Sequence, residues 1–112
     1  MKHVKYAEKS ILVSDDTADT LMEYARLIAE EDAAETVTLQ AISPDGNTVD
    51  ATFLLTSSSE IMVESTNTDL DAPDNAEELR RMRERIEGRT RSASAETEAP
   101  WAADEEAEAG RF

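Results

Sequence analysis

Between Thr36 and Thr66 apolar and polar residues alternate in three runs, separated by two turn signals. Successive side chains of an extended chain point to opposite faces, so this alternation commits the stretch to strands with one buried face. Val37, Leu39 and Ala41 alternate with Thr36, Thr38 and Gln40. Pro44-Asp45-Gly46-Asn47 then reverses the chain, because Pro presets one corner and Gly and Asn tolerate positive φ. In Thr48 to Leu55 the inner face takes Val49, Ala51, Phe53 and Leu55, and the outer face takes Thr48, Asp50, Thr52 and Leu54. Thr56-Ser57-Ser58-Ser59 breaks the pattern, and Ile61-Met62-Val63 starts a third strand. Ile42, Leu54 and Met62 fall on the face opposite Leu39, Phe53 and Val63. They form a weaker apolar row that needs a cover, either a helix or a second copy of the chain.

The flanks read as one more strand and two helices. Lys2 to Val13 is expected to be a fourth strand, interrupted near Glu8. Ser14-Asp15-Asp16-Thr17 caps a helix whose stripe is Ala18, Leu21, Met22, Ala25, Ile28 and Ala29. It ends on Glu30, Glu31 and Asp32, acids at the negative end of the dipole, which predicts a frayed terminus. Asp69 to Asn75 is oxygen-rich, but it lacks the glycine and closing glutamate of an EF-hand loop. Asn75 with Glu78 resembles a capping box for a helix over Ala76 to Glu87, with Gly88 as its C-cap. That helix has only Leu79, Met82 and Ile86 as an apolar stripe. It should dock shallowly or serve as a partner surface. From Arg89 onward no apolar period exists, so the segment cannot offset its ordering entropy. The expectation is an α+β domain over residues 1–88 and a disordered acidic tail over 89–112. The sheet is four-stranded and mainly antiparallel, in the order β-α-β-β-β-α. The first helix lies on one face and the second on the other face or at an edge.

The net charge is −15, from 26 acids against 11 Lys and Arg. Residues 35–70 hold no Lys or Arg. Such a surface repels phosphate backbones, so direct nucleic-acid binding is not expected. The chain has no cysteine, a single histidine (His3) and only three glycines, none in a phosphate-binding loop. Carboxylate pairs abound without one that stands out for acid–base work. No cofactor or metal is expected, and the reading is non-enzymatic. The opening Met1-Lys2-His3 lacks the apolar region of a signal peptide, and no run reaches membrane-spanning length. A cytoplasmic protein is therefore expected.

Residues 4 to about 87 resemble small acidic proteins of actinobacterial type that carry no assigned activity. The similar stretches are YAEKSILVSDDTADTLMEYARLIA, AISPDGNTVDATFLL, and MVESTN followed by APDNAEELRRMRERI. The resemblance implies a bacterial cytosolic context and transfers no functional residue. The leading functional expectation is a protein-interaction module that binds a protein partner or itself. Its candidate contact residues are Ile42, Leu54 and Met62 on the sheet, Leu79, Met82 and Ile86 on the helix, and Trp101 as an anchor for a partner groove. Two alternatives are an acidic inhibitor that mimics nucleic acid, and a small-ligand binder or enzyme with a pocket between sheet and helix.

Overall fold

The computed structural model describes the backbone of residues 1–97 and the side chains of residues 1–89. Its elements are β1 (Lys2–Tyr6), β2 (Lys9–Val13), α1 (Asp15–Glu30), β3 (Glu35–Ile42), β4 (Thr48–Leu55), β5 (Ile61–Ser65) and α2 (Ala76–Thr97). The sheet is antiparallel, in the order β4-β3-β2-β1-β5. The class is α+β, as expected, but the sheet has five strands rather than four. The N-terminal segment is a hairpin: Tyr6 pairs with Lys9 and Val4 with Ile11. Ala7 makes the reversal at φ 57. That turn carries neither Gly nor Asn, so its sequence reads as an interruption rather than a turn.

The β3–β4 hairpin closes as its sequence predicts. The Gly46 amide donates to the Ser43 carbonyl at 2.9 Å, and Gly46 sits at φ 91. The Asp45 carboxylate accepts from the Ser43 hydroxyl and from the Asn47 amide, and these bonds lower its pKa, the Ser43 bond most.

The sheet is strongly curled. β2 and β3 pair only at Leu12 and Ile42. In a flat sheet β1 and β4 would lie about 14 Å apart. Instead the Tyr6 and Phe53 rings meet edge to face at 5.5 Å, and the Tyr6 hydroxyl donates to the Leu54 carbonyl at 2.6 Å. Both helices fill the concave side. α1 lies over β1 and β5, and α2 lies beside α1 over β3. The second helix is thus on the same face as the first, not on the opposite face or at an edge. Val4, Val13, Leu21, Tyr24, Ile28, Val37, Leu39, Leu55 and Met82 are sealed between the layers. Burial of this apolar surface is the main stabilising term.

Helix ends hold two further departures from expectation. Ser14 caps α1, its hydroxyl accepting from the Thr17 amide at 3.1 Å. The other end closes as a Schellman turn: the Ala33 amide donates to the Ile28 carbonyl and the Asp32 amide to the Ala29 carbonyl, both at 3.1 Å. Asp32 takes φ 52, where glycine is usual. α1 therefore ends in a closed turn rather than a frayed one. α2 does not stop at Gly88 but continues to Thr97, so the expected boundary at residue 88 falls inside a helix. One interior glycine costs only about 1 kcal/mol, too little to end a helix flanked by good formers. Residues 98–112, Trp101 among them, lie outside the described residues.

The two non-glycine residues at positive φ define a stability experiment. Ala7→Gly and Asp32→Gly each remove left-handed strain, and the second also removes an acid from the negative helix end. Each is expected to stabilise the fold by about 0.5–1 kcal/mol in urea denaturation, net of the entropy cost of glycine. No gain from either would mean that these turns are not strained as described.

Candidate functional site

The register decides which side chains share the convex face of the sheet, which carries no helix among the described residues. Direct partners point the same way, which places His3, Lys5, Leu12, Thr36, Thr38, Ile42, Thr52, Leu54 and Met62 there. Leu54 and Met62 are 54% and 48% exposed, while Ile42 is buried beside Leu12. Hydroxyls dominate the rest, with the Thr38 and Thr52 oxygens 3.0 Å apart. His3 Nδ1 lies 3.2 Å from the Ser10 hydroxyl, so the single histidine is held in β1. The ionised side chains on this face are Lys5, Asp50 and Glu64. For a chain of charge −15 that is a nearly neutral surface.

A second feature runs along the free edge of β5. A groove of about 440 Å³ lies between Val63 and the α1 residues Asp19, Met22, Glu23 and Arg26. It continues into a smaller one of about 160 Å³ beside Ile61, Ala25 and Ala29, with Met22 and Arg26 lining both. The floor is thus apolar and the rim charged.

The third feature is the seam between the helices. The buried Tyr24 ring donates its hydroxyl to Glu35 at 3.1 Å. The guanidinium carbons of Arg81 and Arg85 each lie 5.8 Å from the ring centroid. Arg85 also reaches Glu35 at 3.7 Å, Arg89 reaches Glu31 at 3.6 Å, and Glu78 holds Arg81. Spacing by four puts Arg81, Arg85 and Arg89 on one stripe of α2. Arg80, Arg81, Arg83, Arg85 and Arg89 are thus all engaged in ion pairs within the fold. Burial, then the bond to Glu35, raises the Tyr24 pKa. A raised acid favours the protonated native state. Its contribution is complete below the ordinary tyrosine value of 10.0 and is lost as pH climbs through and beyond it.

The sequence-derived contact residues separate into three groups. Leu54 and Met62 are exposed on the convex face, and Ile42 is tucked into it. Met82 is fully buried, and Leu79 and Ile86 pack against the core, so the thin stripe of α2 is its inner lining and not a free partner surface. Trp101 is outside the described residues. Sequence alone suggests a pocket between sheet and helix as an alternative but assigns none of the β5 groove residues to it, because the groove's walls come from two elements far apart in the chain. Of the six acids of residues 35–70 only Asp50 and Glu64 share a face, the convex one. Glu35 faces the helix seam, Asp45 is at the hairpin tip, Asp50 and Glu64 lie on strands at opposite ends of the sheet order, Glu60 lies in the β4–β5 loop, and Asp69 lies in the segment between β5 and α2. Among the described residues no group of three His, Cys, Asp or Glu could hold a metal ion, and no helix is long and apolar enough to cross a membrane. No protein-family model, curated protein or solved structure matches the chain.

Proposed function

We propose that this chain is a non-enzymatic protein-interaction module that self-associates through the convex face of its sheet. The observation that carries the reading is the placement of both helices on one side, which leaves Leu54 and Met62 bare on the other. Charge supports a second copy as the occupant. Two chains of −15 repel each other over most of their surface, and the threonine-rich face is where they can meet with little like-charge contact. A cytoplasmic bacterial setting, as in the small acidic proteins it resembles, is part of the proposal.

Two other readings have less support. A nucleic-acid mimic needs carboxylates aligned on one face, and the acids of residues 35–70 are dispersed. Among the described residues, a small-ligand pocket between sheet and helix has only the open groove at the β5 edge to occupy, because the space behind it is filled by core side chains. The test is light scattering as a function of concentration. A dimer is expected at about 100 µM, with Leu54→Asp and Met62→Lys each weakening it by roughly tenfold or more while stability changes little. A chain that stays monomeric at that concentration would sink the reading.

A further inference from the structure

The free edge of β5 and the groove beside it form a second recognition surface. β1 pairs with β5 over five consecutive residue pairs, Lys2 with Ser65 through Tyr6 with Ile61. β5 ends the strand order, so among the described residues its other side has no strand neighbour. Proteins usually blunt such an edge with charges, proline or a bulge; Ile61 to Ser65 has no lysine, proline or bulge, and its single charge, Glu64, points to the convex side. The two-residue Ala7-Glu8 loop closes on a hydrogen-bonded Tyr6–Lys9 pair. The alternation of an antiparallel ladder then turns the backbone groups of Val4 toward β2, and those of its partner Val63 away from β1. Ile61, Val63 and Ser65 thus present their N–H and C=O groups outward. Their side chains sit on the concave face, and those of Ile61 and Val63 line the groove against α1.

We infer that this edge accepts an extended peptide segment of a basic protein partner as a sixth antiparallel strand. Main-chain bonds to Ile61, Val63 and Ser65 hold the strand, and alternate apolar side chains enter the groove over Met22. Charge selects the occupant. Glu60 precedes the strand, Glu64 lies on it and Glu23 on the groove rim, and none has an ion-pair partner among the described residues, whereas the other rim charges, Asp19 and Arg26, are paired with Lys2 and Glu30. A second copy pairing here would bring two such sets of carboxylates together. A segment with lysine or arginine flanking its apolar residues would neutralise them. The inference rests on the interaction-module reading only in taking the ligand to be protein, and it uses a different surface.

The probe is a blocked peptide of alternating valine and threonine with lysine at both ends, titrated into the full chain and followed by backbone NMR. Saturable shifts are expected at the amides of Ile61, Val63 and Ser65 and at the Met22 methyl. A glutamate-ended peptide, and one N-methylated on its valines, should bind at least roughly tenfold more weakly, whereas methylation on the threonines should be tolerated. Val63→Pro removes an outward N–H and no bond to β1, so it should abolish binding with the sheet intact. Ser65→Pro, at the strand end, is the second variant if the first does not fold. Glu23→Lys should reverse the preference between lysine- and glutamate-ended peptides. Binding that survives both proline variants, the absence of any shift at β5, or a dimer that Val63→Pro dissolves would each overturn the inference. The Leu54→Asp variant separates the two proposals, because it should lose self-association and keep peptide binding.

Discussion

Asn75→Ala is expected to be among the most damaging single substitutions in this chain, although the residue lies outside the apolar core. The side-chain amide of Asn75 behaves as a piece of strand. Its Oδ1 accepts from the Gln40 amide at 2.7 Å, and its Nδ2 donates to the Gln40 carbonyl at 2.8 Å. It sits on the edge of β3 where β2 has ended at Val13 and the chain turns into α1, and it replaces the missing ladder. Asn75 is 9% exposed. Alanine would leave two backbone groups without partners, at about 1–3 kcal/mol each. The net expectation is a loss of about 2–4 kcal/mol in urea denaturation, with faster hydrogen exchange at the Gln40 amide. Asn75→Asp should do no better, because a carboxylate cannot donate to the Gln40 carbonyl. An alanine variant within about 0.5 kcal/mol of the parent would show that solvent serves Gln40 equally well.

Met82→Ala is the second large expected effect, and it tests what holds α2 in place. Met82 is fully buried, while its neighbours in the stripe, Leu79 and Ile86, are only partly so. Truncating a buried methionine costs about 2–5 kcal/mol through lost transfer energy and the cavity left behind. For a domain of this size each kcal/mol moves the melting midpoint by roughly 4–8 °C. The ionic seam cannot compensate, because Arg83, Arg85 and Arg89 and their acids are substantially solvent-exposed and exposed pairs contribute little. Arg80→Ala, on the solvent side, should change stability by less than about 0.5 kcal/mol. If Met82→Ala were mild and removal of the arginine stripe severe, electrostatics and not packing would be docking this helix.

Asn75 also shows how local and distant demands compete for one residue. Next to Glu78 it reads as the start of a capping box. In the fold its side chain is committed to Gln40, and Asp74 takes over at the helix start, its carboxylate accepting from the Ala76 amide at 3.0 Å. Nothing within a few residues of Asn75 indicates that a strand edge far back in the chain lacks a partner. Ala7 is a different kind of miss. Its positive φ is imposed by the pairing of β1 with both β2 and β5, and no turn-forming residue announces it. Met82, in contrast, was recognisable as apolar at helical spacing. Whether its stripe faced inward depended on where α2 came to rest. The convex-face pair Leu54 and Met62 was legible because alternation fixes a face once one strand register is known.

The sequence by itself determined the pieces: strands wherever apolar residues alternate, helices at caps and 3.6-residue stripes, and a turn where Pro, Asp and Gly follow one another. These are short-range consequences of backbone sterics and of moving apolar side chains out of water. Tertiary structure alone decided that both helices share the concave side, that the sheet curls until Tyr6 touches Phe53, and that the convex face and the β5 edge stay open. Those outcomes depend on how layers fill space together, and no window of neighbouring residues contains that sum.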